Sequence, residues 1–270
     1  MKIGYLGPEG TYSYEAAITY SPDAHHIPFK SFYEIIHAVE SGDIEEGVLP
    51  IENSTEGAVT SVMDGLLKTD TAKIKGELIL PVVHNLLSLS NDIKTIRYIY
   101  SHPQAIEQCR DYFQKYLPHV IMLPCESTSH ACLKAKAEGP EKGAIGNRSA
   151  AEIHNLHVLS SSIQDNSYNQ TRFIIISKTP VPSAVLNKTS IVFAFLNDYP
   201  GSLYTVLKAF ADENINLTRI ESRPAKAELG KYIFYIDFMG HYKDPVVEEV
   251  LSDIKQITGF LKIFGSYPTA

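Results

Sequence analysis

Thr171-Arg172-Phe173, at the head of the apolar run Phe173-Ile174-Ile175-Ile176, sets a hydroxyl and a guanidinium at the mouth of what reads as a buried strand. The polar stretch from Ser160 to Gln170 precedes it. Rigid backbone beside a loop is a common place to build a site, because the strand holds the reacting groups. A threonine hydroxyl is a poor acid, so Thr171 suits donating a hydrogen bond or relaying a proton rather than ionising. The plainer alternative is a β-branched residue favoured in strands. Residues 171 and 172 point to opposite faces of a regular strand. Arg172 is therefore either a carboxylate contact reached through irregular backbone or half of a structural salt bridge.

Three other segments carry polar groups at element ends. Gly7-Pro8-Glu9-Gly10-Thr11-Tyr12-Ser13 joins a strand to a helix, and free N–H groups at a helix start attract an anion. Gly10, Thr11 and Ser13 are the candidates there; the alternative is a plain turn capped by Thr11 or Ser13. Its spacing is not that of a dinucleotide fingerprint. Pro50-Ile51-Glu52-Asn53-Ser54-Thr55-Glu56-Gly57 puts Asn53 and Ser54 just past a strand's carboxyl end, where open α/β sheets bind ligands. Asn53 either contacts a ligand or caps the Ala58 to Lys68 helix. Ser101-His102-Pro103-Gln104-Ala105 ends a strand and starts a helix, with Gln108 seven residues after Ser101. His102 is either a general acid near neutral pH or the group that fixes the helix start.

In order and spacing these four segments resemble the prephenate dehydratase family, and Glu221-Ser222-Arg223-Pro224 resembles the regulatory ACT domain attached to those enzymes. The resemblance covers essentially the whole chain. It implies loss of CO2 and water from prephenate to give phenylpyruvate, with no metal or cofactor. It implies catalytic roles for Thr171, Arg172, Ser101, Gln108 and Asn53, and substrate contacts from Gly10, Thr11, Ser13, Ser54 and His102. Phenylalanine is the implied effector. It would bind between two ACT domains at Pro200, Gly201, Ser202, Leu203, Glu221 and Ser222, in a homodimer or homotetramer. Ser202 stands where many relatives carry Ala or Val. Arogenate dehydratase and a non-enzymatic small-molecule binding protein are the competing readings. No fused mutase domain is expected, so a monofunctional enzyme is.

Bulk properties narrow the field. The 270 residues suffice for two domains, and 44% apolar content indicates a folded core. A net charge of −7 without a basic stripe argues against nucleic acid, so an anionic substrate must be held by local donors. No signal peptide or long apolar span is evident. The cysteines Cys109, Cys125 and Cys132 lack metal spacing and fit reduced cytoplasmic thiols, with Cys109 packed on a helix. The histidines pair with no carboxylates at ligand spacing, and no G-x-S-x-G elbow occurs.

The elements that must position these residues read as α/β with largely parallel sheets. Strands are expected at Lys2 to Leu6, Gly47 to Ile51, Tyr98 to Tyr100, Gly143 to Gly146, His157 to Leu159 and Phe173 to Ser177. Ile79 to Leu89 reads as an extended crossover. Helices are expected at Tyr14 to Tyr20, at Ser31 to Glu40 with a Ser31/Glu34 capping box, from Pro103 to Tyr116, and from Ser127 or Thr128 to Gly139. The Pro-rich Thr179-Pro180-Val181-Pro182-Ser183 marks a domain boundary. Beyond it a β-α-β-β-α-β order predicts a ferredoxin-like unit over 188–270. The resemblance further implies a catalytic domain over 1–180 of two lobes around a cleft, like a type II periplasmic binding protein. Lobe one would take 1–76 and 163–180, and lobe two 77–162.

Overall fold

The computed structural model describes residues 1–179, 181, 186–197, 199–225 and 232–270. The chain runs β1 (Lys2–Leu6), α1 (Tyr12–Tyr20), β2 (His25–Phe29), α2 (Phe32–Ser41), β3 (Glu46–Asn53), β4 (Gly57–Ala58), α3 (Thr60–Lys68), β5 (Lys73–Pro81) and β6 (Asn85–Ser88). It continues with β7 (Tyr98–Ser101), α4 (Pro103–Glu107), α5 (Arg110–Tyr116), β8 (Ile121–Pro124), α6 (Thr128–Glu138), β9 (Lys142–Gly146), α7 (Arg148–His154), β10 (His157–Ser160) and β11 (Gln170–Ser177). The last third holds β12 (Asn187–Ala194), α8 (Ser202–Asp212), β13 (Leu217–Pro224), β14 (Tyr232–Met239), α9 (Pro245–Ile257) and β15 (Phe260–Pro268).

Side-chain oxygens start four of the helices, α1, α2, α6 and α7. Thr11, Ser31, Ser127 and Asn147 accept the N–H of Tyr14, Glu34, His130 and Ala150, satisfying a first-turn donor in each case. Glu34 accepts from Lys30 rather than from Ser31, one residue further out than the expected box. Gly42 closes α2 at φ 87, a left-handed conformation that glycine adopts without penalty.

Two α/β sheets and a third, ferredoxin-like unit result. The first sheet has strand order β2-β1-β3-β11-β5, with β4 beside β3; the second has β10-β6-β9-β7-β8. The expectation of largely parallel sheets fails. β11 returns from the second sheet to run antiparallel between β3 and β5, and β6 is antiparallel to β9 and β10. A boundary at 76/77 would cut through β5, because Leu78, Ile79, Leu80 and Pro81 still pair with β11.

The single helix expected from Pro103 to Tyr116 is broken at Gln108 and Cys109. The Gln108 carbonyl takes the N–H of Asp165, and the Asp165 carboxylate accepts the N–H groups of Asp111 and Tyr112. An outside carboxylate thus caps α5 and stops the two helices from merging. Sequence periodicity missed β2, β8 and α7 altogether. Among the described residues no helix is long and apolar enough to cross a membrane.

The third sheet has order β13-β14-β12-β15. One face is covered by α8 and α9 through Val206, Phe210, Val250 and Ile254 against Phe193, Phe234 and Phe238. The other face joins the first sheet's core, where Val192, Tyr235, Phe264 and Tyr267 share a cluster with Met63, Ile174 and Ile176. β15 comes so close to β5 that a Cβ on Gly265 would collide with the Ile74 carbonyl. Gly265→Ala is expected to cost about 1–3 kcal/mol by forcing the strands apart. An unchanged melting temperature would show that the strands yield without cost. Of the Pro-rich boundary, Pro180, Pro182 and Ser183 lie outside the described residues.

Candidate active site

The carboxyl ends of β1 and β3, the head of β11, and the starts of α1, α4 and α6 meet around a cavity of about 380 Å³ between the first and second sheets. Thr11, Ser13, Asn53, His102, Gln108 and Thr171 all line it. Its polar wall is continued by Tyr12, His84 and Asn169, and its apolar wall by Phe32, Ala58, Val59 and Phe173.

Strand pairing fixes the centre. Thr171 sits opposite Asn53 in the β11–β3 pair, and the Asn53 amide nitrogen donates to the Thr171 hydroxyl at 2.9 Å. It also donates to Asn169 Oδ1 at 2.9 Å, while Asn53 Oδ1 accepts the N–H groups of Thr55 and Glu56. Asn53 therefore shapes its own loop and touches Thr171 at once; it does not cap α3, which has no side-chain cap. Because Thr171 Oγ1 is already an acceptor, its own hydrogen is left to point at a ligand.

A second string of polar groups crosses from the other sheet. His84 Nε2 lies 2.9 Å from Gln108 Oε1, and Tyr12 Oη lies 3.0 Å from His84 Nδ1. Burial pushes the His84 imidazole below its ordinary value, Gln108 offsetting this only in part, so the ring is neutral. Burial likewise drives Tyr12 well above the usual phenol range, which keeps its proton in place. Among the described residues Gln108 Nε2 is buried and has no hydrogen-bond partner.

Among the described lining residues none is Lys or Arg. Anion attraction must come from dipoles. The first-turn residues of α1 and α6 form part of the wall, and their caps satisfy only one N–H each. His102 lines the cavity too, but its Nδ1 accepts the Gln104 N–H at 3.3 Å and so fixes the start of α4.

Four expected site residues lie elsewhere. Ser101 is fully buried and donates to the Ile145 carbonyl, inside the second sheet's core. Gly10, at φ 79, packs against Ala150 and Ser129 where the two lobes touch. Ser54 is exposed and fastens the Tyr168-to-Gln170 segment through the Gln170 N–H and the Tyr168 carbonyl.

Arg172 points away from the cavity. Its guanidinium reaches Glu77 at 2.8 Å, Asp237 at 2.7 Å and the Tyr267 hydroxyl at 2.9 Å, tying β11 to the third sheet. Burial opposes the charge, but Asp237, Tyr267 and Glu77 hold it more firmly protonated than usual. The alternation of the strand decides the case: Thr171 and Phe173 face the cavity, and Arg172 faces the opposite side.

His84, Asn169 and Tyr12 were not singled out in the sequence as site residues. Tyr12 and Asn169 sit inside segments that were, and only three-dimensional convergence marks them. His84 has no sequence signal beyond being one of ten scattered histidines.

In the last third, Gly201 opens α8 at φ 95 with open space about its Cα. Ser202 Oγ accepts the Tyr199 N–H at 3.0 Å, and Leu203 packs into the α8–α9 core. Pro200 is exposed beside them. Glu221 and Ser222 lie on the edge strand β13, which leaves Ser222 exposed. Arg223 of the same strand binds Asp64 of α3 at 2.7 Å.

Comparison with known proteins assigns the family and the fold. The family model described as Prephenate dehydratase matches residues 3–181, and that described as ACT domain matches 189–256. A prephenate dehydratase of Methanocaldococcus jannaschii is 43% identical over 275 residues, covering 98% of this chain and 97% of its own. The structure of prephenate dehydratase from Arthrobacter aurescens in complex with L-Phe superposes with a TM-score of 0.90 at 32% identity, covering 99% of this chain and 89% of that one. A protein described as GqqA, a novel type of quorum quenching acylase, gives 0.90 at 28% identity, covering 100% and 98%. The chain thus belongs to the prephenate dehydratase family of lyases and carries an ACT domain at its C-terminal end.

Proposed function

We propose that the cavity converts prephenate to phenylpyruvate, CO2 and water, and that Thr171 assists the departing hydroxyl. The observation that carries this is the bond from Asn53 Nδ2 to Thr171 Oγ1, which frees the threonine hydrogen for a substrate oxygen. The ring carboxylate's C–C bond breaks, its electron pair moves through the ring, and the C–O bond at the opposite carbon breaks. The hydroxide leaves as water after taking up a proton. Asn53 polarises the threonine hydroxyl toward donation as negative charge builds on the leaving oxygen. The α1 and α6 starts and the Gln108 amide hold carboxylate oxygens, and the apolar wall of Phe32, Val59 and Phe173 accommodates the ring.

An acylase reading has less support. His84 engages Tyr12 and Gln108 through its two ring nitrogens, leaving none to activate a serine or cysteine.

Phenylalanine is the effector in this reading, bound between ACT domains of two copies at Pro200 to Leu203 and Glu221-Ser222, within a homodimer or homotetramer. The edge position of β13 among the described strands and the exposed Ile220 upon it support such pairing. Arg223 gives the effector strand a tie to α3, whose approach at Gly57 to Val59 forms cavity wall. The catalytic unit is 1–180, with lobe one extended to Pro81, and the ACT unit is 188–270. Free Cys109, Cys125 and Cys132 suit a reducing cytoplasm.

Purified protein incubated with prephenate should yield phenylpyruvate, followed by its absorbance in alkali, and added phenylalanine should slow the reaction. No phenylpyruvate would sink the proposal. A faster reaction with arogenate would move the assignment to the amino analogue.

A further inference from the structure

The orientation of three amides in the cavity wall, those of Asn53, Asn169 and Gln108, follows from two backbone donors. The N–H groups of Thr55 and Glu56 both point at Asn53 Oδ1, at 2.9 and 3.0 Å, and a backbone N–H can only donate. Asn53 must then offer its NH2 to Asn169, whose Oδ1 accepts at 2.9 Å. Asn169 in turn must offer its NH2 to Gln108 Oε1, at 3.2 Å. His84 Nε2 approaches that same oxygen at 2.9 Å, so this nitrogen must carry the imidazole hydrogen. His84 Nδ1 is left as an acceptor facing the Tyr12 hydroxyl at 3.0 Å, whose one hydrogen is shared between this nitrogen and the Val83 carbonyl at 2.8 Å. Polarity thus runs inward from both ends and meets on one oxygen, and the opposite end of the Gln108 amide, buried and without a partner among the described residues, is an NH2 group at the cavity.

We infer that His84, held by Tyr12, is a positioning residue that locks the Gln108 amide with its NH2 toward the substrate. This rests on the reading of the cavity as a dehydratase site. With the imidazole donor removed, Asn169 alone opposes rotation of the amide. The rotated form presents a carbonyl oxygen to an anionic substrate, replacing attraction by repulsion. His84 is 2% exposed and burial favours its neutral ring, so it contributes direction rather than charge.

The test uses the two amides that imitate the two ring nitrogens. Glutamine places an NH2 near the Nε2 position and asparagine places its amide near Nδ1. His84→Gln should retain most of the activity, since Tyr12 keeps the Val83 carbonyl at 2.8 Å as an acceptor. His84→Asn and His84→Leu should each lose about 10–100-fold in kcat/KM, the scale of a misdirected supporting partner. In a Gln108→Leu background the difference between His84→Gln and His84→Asn should vanish, because nothing remains to be oriented. Nitrogen NMR of the unaltered, ligand-free protein should show a neutral His84 protonated at Nε2. Equal activities of the Gln and Asn variants, or a ring proton on Nδ1, would overturn the inference while leaving the reaction intact. Failure of the unaltered protein to form phenylpyruvate would instead remove the reaction and this role with it.

Discussion

Thr171→Val is expected to abolish most turnover while leaving substrate affinity within a few-fold. The substitution keeps the shape of a β-branched residue and removes only the hydroxyl. Asn53 Nδ2 retains Asn169 Oδ1 and the Gln170 carbonyl, so the loop it organises stays in place. What is lost is the donor to the leaving oxygen, and kcat should fall by about 10²–10⁴-fold. Thr171→Ser should restore part of the rate. Steady-state kinetics check this, and a valine variant with normal kcat would exclude the hydroxyl from the chemistry.

Arg172→Met, one residue along, should fail in a different way. Its guanidinium lies between Glu77 and Asp237, whose side chains are 1% and 5% exposed. Glu77 keeps Lys188 at 2.7 Å, but Asp237 loses its ion pair. Leaving a buried carboxylate uncompensated costs about 3–5 kcal/mol. In a chain of this size that lowers the melting temperature by on the order of 10 °C. Adding Asp237→Asn should recover part of the loss, because the stranded charge is gone. The measurement is thermal unfolding of the single and double variants. A stable Arg172→Met with a raised KM would return Arg172 to the substrate.

Neighbouring positions of one motif thus serve opposite sides of a sheet. The sequence carried both clues, the alternation of a strand and the open choice between carboxylate contact and salt bridge for Arg172. It could not choose, because Asp237 and Tyr267 lie far along the chain and belong to another sheet. The ferredoxin-like order was legible because its apolar periodicity switches cleanly between strand and helix, as at α9, Pro245–Ile257. Mixed strand direction was not legible, since β11 reaches its place only by returning from the second sheet.

The site shows the same division. Asn53, Gln108 and Thr171 were found by motif and do converge. Ser101 belongs to an equally good motif yet its hydroxyl is sealed by the Ile145 carbonyl. His84 and Asn169 emerge only from geometry, because a lone histidine or asparagine has no period to betray it.

A cavity whose described wall holds neutral donors and the carboxylates of Glu56 and Glu126, but no lysine or arginine, also bears on how a reaction cycle ends. Fixed dipoles pull on a guest in proportion to its charge. Prephenate enters doubly negative, CO2 departs uncharged, and phenylpyruvate remains singly negative. The grip therefore slackens by about half through the chemistry itself, with no side chain obliged to swing away. A lysine or arginine in the wall would have deepened the well for reactant and product alike and delayed the exit of both.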